Sequence, residues 1–182
     1  GTYTCLITDS CNCSLTISVT INQPNAIAVT STSTNVSCNG ASDGEATVIL
    51  FGGTSYSYSW NSNPIQTTAT ASNLYAGTYI CTITDSLNCS LYDTITITQP
   101  DSLKIIITTD SALCYGSSGL ANVYPIGGTP SYTYLWSSGD TSQSVSLLTG
   151  NYNVLVTDSN NCFVSDSLTI YQVDSMIISS SS

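Results

Sequence analysis

Apolar and polar residues alternate with a period of two through most of this chain. Tyr56, Tyr58 and Trp60 alternate with Ser55, Ser57 and Ser59, and Tyr79, Cys81 and Ile83 alternate with Thr78, Ile80 and Thr82. Ile95 and Ile97 interleave with Thr94, Thr96 and Thr98 in the same way. Successive side chains of a strand point to opposite faces, so each run predicts a strand with one buried and one wet face. No segment shows the spacing of an amphipathic helix. Gly-Gly, Asn-Pro and Asp-Ser-x-Asn turns punctuate the strands, which fits an all-β, immunoglobulin-like sandwich. The Gly-x-Tyr-x-Cys or Gly-x-Tyr-x-Val strand matches the tyrosine-corner strand of that class, and Trp60 and Trp136 sit where its core tryptophan falls.

The alternation itself recurs along the chain. GTYTCLITDSCNC from Gly1, GTYICTITDSLNC from Gly77 and GNYNVLVTDSNNC from Gly150 are three copies of one segment. Gly52-Gly53-Thr54 is matched by Gly127-Gly128-Thr129, and Cys38-Asn39-Gly40 by Cys114-Tyr115-Gly116. Gln23-Pro24 and Gln99-Pro100 punctuate the units, and Gln172-Val173 stands in the third such place. Cys114 follows Cys38 by 76 residues, and Cys162 follows Cys89 by 73. Repetition at such a period marks a tandem array. The expected division is the last part of one repeat (1–24), complete repeats at 25–100 and 101–173, and the first strand of another (174–182). Both ends then fall inside a repeat, and the expectation is a rod of sandwiches that continues in both directions.

Composition narrows what such an array can do. Among 182 residues there is one Lys or Arg against 11 acids, a net charge of −10. No basic surface exists for nucleic acid or anionic membrane, and no apolar run is long enough to span a bilayer. Eight cysteines in a chain with no His point to an oxidising compartment. Cys11 and Cys13 are too closely spaced for a zinc pair. The repeat spacing suggests disulfides Cys38–Cys89 and Cys114–Cys162, each closing a loop of about 50 residues, worth roughly 4 kcal/mol on the chain-entropy estimate. Cys13 corresponds to Cys89, so its partner lies upstream. Cys5 and Cys81 replace the core residue Val154 and are expected as buried thiols, while Cys11 has no assignment.

Catalysis has little to work with: no His, a single lysine (Lys104), and no Ser paired with a base. The acidic pair Asp43 and Glu45 is Ser118 and Leu120 in the next repeat. We therefore expect no enzyme activity, no catalytic residues, no metal and no cofactor. Asp9, Asp85 and Asp158 recur beside Asn12, Asn88 and Asn161. Carboxylate and amide oxygens suit Ca²⁺, but one carboxylate per turn fits better with an Asp that caps its own hairpin. Lys104 is replaced by Ala28 in the other repeat, which argues for a solvated strand lysine against an isopeptide bond. Asn35-Val36-Ser37 reads as an N-linked acceptor only in a eukaryotic protein.

The combined pattern C-x-G, GGT-x-Y-x-Y-x-W, G-x-Y-x-V-x-V-T-D-x-x-x-C and I-T-Q-P resembles the SprB-type repeat of bacterial gliding-motility and cell-surface adhesins, which is itself similar to PKD-like sandwiches. The chain departs from it at Cys5 and Cys81, in a usually aliphatic position, and at Ser55, where Pro130 keeps the family's proline. The resemblance implies export by the type IX route, display on the cell surface in long filaments, and contact with surfaces or polysaccharide. It also implies O-glycosylation of Asp-Ser/Thr followed by an aliphatic or small residue, here at Ser86, Thr94, Ser102, Ser111, Ser167 and Ser175. Strand-edge and turn chemistry accounts for the same tripeptides equally well. The expected function is a structural or adhesive repeat segment of a large secreted surface or filament protein. Its partners are then neighbouring repeats, lateral copies, or surface glycan. The alternatives are a carbohydrate- or protein-binding module using Tyr75, Tyr92, Tyr115 and Tyr124, or a non-catalytic spacer of a large secreted enzyme.

Overall fold

A computed structural model of the chain describes residues 1–23, 27–52 and 55–173. The segment 174–182, with Ser175, lies outside the described residues. Strands β1 (Thr2–Thr8) and β2 (Ser14–Thr20) form an antiparallel hairpin. Six strands follow: β3 (Ala28–Thr34), β4 (Gly44–Phe51), β5 (Tyr56–Trp60), β6 (Thr70–Leu74), β7 (Gly77–Asp85) and β8 (Ser90–Ile97). They make two antiparallel sheets of order β3-β4-β6 and β5-β7-β8. The same arrangement recurs with β9 (Lys104–Thr109), β10 (Gly119–Ile126), β11 (Thr133–Trp136), β12 (Ser144–Leu147), β13 (Gly150–Thr157) and β14 (Phe163–Ile170). Their sheets run β12-β10-β9 and β11-β13-β14.

Each pair of sheets closes on its own core, filled by the inward half of the alternation. Ala46, Val48, Trp60, Ala71, Leu74, Cys81, Ile83, Ile95 and Ile97 form the first. Ala121, Val123, Trp136, Val145, Leu147, Val154, Val156 and Ile170 form the second. Both tryptophans are buried, and each indole N–H finds a carbonyl: Trp60 Nε1 donates to Thr68 O at 2.9 Å and Trp136 Nε1 to Ser142 O at 2.8 Å. Burial therefore leaves no unpaired donor on the largest core side chains. At the start of β10 the backbone approach requires glycine, because a Cβ on Gly119 would lie 2.2 Å from Asp110 O and 2.9 Å from Ile170 Cγ2. Tyr79 donates its hydroxyl to Tyr75 O at 3.0 Å, the tyrosine-corner contact. After the first strand of each unit the chain runs beside the last one: Val36 N donates to Thr98 O at 3.2 Å, and Ala112 pairs in parallel with Gln172.

The β1–β2 hairpin is exposed along its whole length, and among the described residues no second sheet covers it. Cys5, on β1 of this hairpin, is exposed, whereas Cys81, at the equivalent place in a complete sandwich, is buried and unbonded. Burial pushes the Cys81 thiol up to about 11.

Candidate functional site

The two sandwiches meet where the Cys38-Asn39-Gly40 loop of the first reaches the last hairpin of the second. The loop is a tight turn: Gly40 has φ of 78°, in the left-handed region that glycine adopts without cost, and Ala41 N donates to Cys38 O at 3.0 Å. Ser37 N donates to Asp43 Oδ1 at 3.0 Å. Bonds from the Ser37 hydroxyl and amide hold the Asp43 carboxyl below the usual carboxylate range. The expected acidic pair is thus divided, with Asp43 capping this loop and Glu45 exposed on β4. Gly40 N donates to Gln99 Oε1 at 2.9 Å and Asn39 Nδ2 to Pro100 O at 3.0 Å, so the loop clamps the link between the sandwiches.

The opposing surface is the turn between β13 and β14. Asp158 Oδ1 accepts from Asn160 N and Cys162 N, each at 2.9 Å, and Oδ2 accepts from Thr129 N at 2.8 Å. Asn161 supplies the left-handed residue at φ 64°. Asp158 is only 4% exposed. Burial alone would raise its pKa, but the three N–H donors outweigh that and hold it below the ordinary value. The same carboxylate-to-amide geometry occurs in the other hairpins, with Asp9 accepting from Cys11 N and Cys13 N and Asp85 from Leu87 N and Cys89 N. These carboxylates are occupied as turn caps.

Across the junction Asn160 Nδ2 donates to Ser37 O at 2.9 Å, and Cys38 is disulfide-bonded to Cys162 with their Cα atoms 5.7 Å apart. The expected bridges Cys38–Cys89 and Cys114–Cys162 are not formed; Cys89 and Cys114 are free and exposed. The cause is axial. Cys38 lies at the Ile97 end of β8, beside Thr98 and Gln99, while Cys89 lies in the turn at the other end. The steps between the first and last of the eight residues of β8, at about 3.4 Å each, put about 24 Å between those ends. Bonded cysteines need Cα atoms within about 7 Å.

Of the expected O-glycosylation acceptors, Ser86, Thr94, Ser102, Ser111 and Ser167 are all exposed. Thr94 and Ser167 lie on edge strands β8 and β14, and their backbone amides donate to Asp93 and Asp166. Tyr75 and Tyr92 line separate clefts, and Tyr115 and Tyr124 line neither of them, so the expected tyrosines are not brought together. Among the described residues no group of three or more His, Cys, Asp or Glu side chains is placed to hold a metal ion. Nor, among the described residues, is there a helix long and apolar enough to cross a membrane. Cys38-Asn39-Gly40, Gln99-Pro100, Asp158, Asn161 and Cys162 stand out in the sequence as repeat motifs, but the pairing of the cysteines and the roles of Ser37, Asp43 and Asn160 do not, and the aligned residues Leu87 and Cys11 give no clue to Asn160.

Paired three-stranded antiparallel sheets, a core tryptophan and a tyrosine corner define an immunoglobulin-like β-sandwich, present here in tandem. The family model of the SprB repeat matches residues 30–64 and 106–141, and the chain carries SprB repeats at these two places. It is a repeat module of the structural or adhesive type. No curated protein matches the sequence. Among solved structures, the eight N-terminal Ig domains of Down Syndrome Cell Adhesion Molecule isoform 1.30.30 align at 13% identity and a TM-score of 0.49, covering 95% of this chain and 28% of that one. The four N-terminal Ig domains of Dscam1 isoform 6.9 align at 12% identity and a TM-score of 0.36, over 94% of this chain and 54% of that one. The amphioxus IgVJ-C2 molecule aligns at 11% identity and a TM-score of 0.33, over 82% of this chain and 98% of that one. The chain thus spans about half the length of the first Dscam1 structure.

Proposed function

We propose that this chain is a length of a structural or adhesive rod in a large secreted bacterial surface protein, with 25–100 and 101–173 as successive units stacked end to end. The observation that carries the reading is the stapled junction. Two sandwiches joined by a short link alone swing relative to one another. Here the Cys38–Cys162 bond, the Asn160–Ser37 contact and the clamp on Gln99-Pro100 all oppose that motion. A disulfide persists in an oxidising compartment, which favours an extracellular location. Exposed Asp-Ser/Thr acceptors support glycosylation of the rod, where bulky sugars on β8 and β14 would also block edge-to-edge sheet pairing. Surface polysaccharide and lateral copies are the partners such a rod would meet.

Small-angle scattering on the oxidised chain and on Cys162→Ser tests this. The rod reading expects an elongated particle, two sandwiches long, that becomes more variable in length when the staple is removed. A compact side-by-side particle in the oxidised chain overturns it. Glycopeptide analysis of protein from its own source tests the modification: finding all six positions unmodified, Ser175 included, would exclude it.

A further inference from the structure

Cys38 and Cys162 are not equivalent positions, and each has an unbonded twin. Cys114 occupies the Cys38 position of the second sandwich: Ser117 N donates to Cys114 O at 3.1 Å, as Ala41 N does to Cys38 O at 3.0 Å. Gly116 has φ 79° against 78° for Gly40. Gly116 N donates to Gln172 Oε1 at 3.2 Å, as Gly40 N does to Gln99. Cys89 occupies the Cys162 position of the first sandwich. Its N–H donates to Asp85 Oδ1 at 2.8 Å, Asp85 N donates to Cys89 O at 3.0 Å, and Asn88 has φ 63°. Cys13 repeats this geometry once more, with Asp9 N donating to Cys13 O at 2.9 Å and Asn12 at φ 64°. Cys13, Cys89 and Cys114 are all free and exposed.

We infer that each repeat carries one loop cysteine and one hairpin cysteine so that successive repeats are joined by a ladder of disulfides, each rung running from the loop of one repeat to the last hairpin of the next. The Cys38–Cys162 bond is one rung. Cys114 is the loop half of the rung beyond it, and Cys89 and Cys13 are hairpin halves of rungs before it. Neither Cys89 nor Cys114 can close on its own repeat, because loop and hairpin turn lie at opposite ends of β8 and of β14. The partner each one fits is therefore the complementary end of another repeat of the same kind. A rung forms by thiol–disulfide exchange with a small-molecule or protein disulfide. One thiolate attacks that disulfide and releases a thiol, and the second thiolate then displaces the other. Two cysteines are oxidised to one bond, and the external disulfide is reduced to two thiols.

The inference rests on end-to-end stacking of the proposed rod and adds its covalent wiring. It is tested by extending the chain, with residues 1–173 joined directly to a second copy of 25–173, oxidised in a glutathione buffer and mapped without reduction. The ladder expects Cys38–Cys162 in both copies and a new peptide linking Cys114 of the first copy to Cys89 of the second. Replacing the first copy's Cys114 with Ser would free that Cys89 for alkylation and leave both Cys38–Cys162 bonds in place. Recovery of Cys38–Cys89 or Cys114–Cys162 pairs overturns the ladder. So does a first-copy Cys114 that stays alkylatable beside intact Cys38–Cys162 bonds. Scattering on the same protein separates the two readings: an elongated particle lacking the new link leaves the rod standing and removes the ladder.

Discussion

Replacing Asp158 with Ala removes the acceptor for three backbone amides at once, those of Asn160, Cys162 and Thr129. Leaving a buried donor unpaired costs about 1–3 kcal/mol, and these amides are partly buried, so water recovers some of the loss. Taking about 1 kcal/mol each gives a cost of about 3 kcal/mol to the second sandwich. Asp158→Asn keeps one oxygen for the two turn amides but sets an NH₂ group against Thr129 N, and is expected to cost about 1–2 kcal/mol. Each sandwich contains one tryptophan, so Trp60→Phe leaves Trp136 as the reporter of the second alone. In that background, with the disulfide intact, a loss of about 3 kcal/mol moves the guanidinium midpoint down by about 1.5 M at a slope of about 2 kcal/mol per M. An Asp158→Ala variant within about 0.5 kcal/mol of its parent, or an Asn variant that costs as much as Ala, would contradict this role for the carboxylate.

The same carboxylate sets a pH dependence. Its folded pKa lies below the unfolded value of about 3.9, so its stabilisation is complete above about pH 4 and is lost as pH falls through the folded pKa; acid titration of Trp136 fluorescence is expected to show this limb, and Asp158→Asn to abolish it. Gly119→Ala is expected to cost about 3 kcal/mol or more, since backbone at Asp110 O cannot yield to a Cβ 2.2 Å away, and thermal unfolding of the second sandwich reads the loss. Under native conditions an alkylating reagent is expected to modify Cys89 and Cys114 and to spare Cys81, which is buried with its thiol pushed up to about 11; Cys81 labelled as fast as Cys89 would contradict the core assignment.

The alternation of side chains determined most of the fold without help from tertiary structure. Period two says which face of a strand is buried, and it placed Trp60, Cys81, Ile83, Trp136 and Val154 inward because an apolar face in water has to be covered. Turn chemistry is equally local: Asp85 and Asp158 reach amides two and four residues on, so Asp-Ser-x-Asn-Cys carries its own geometry. The repeat showed that these solutions occur in series. Position along the strand axis was not legible. Spacing put Cys38 and Cys89 in one unit, but only the path of β8 set them at opposite ends of it, and only the tertiary structure brought Cys38 to Cys162. Asn160 looks like any polar turn residue until the neighbouring loop offers it Ser37 O. Local sequence fixes the face and the turn because those depend on residues a few places away. Which ends meet depends on where the chain has travelled in between, and that was decided by the tertiary structure.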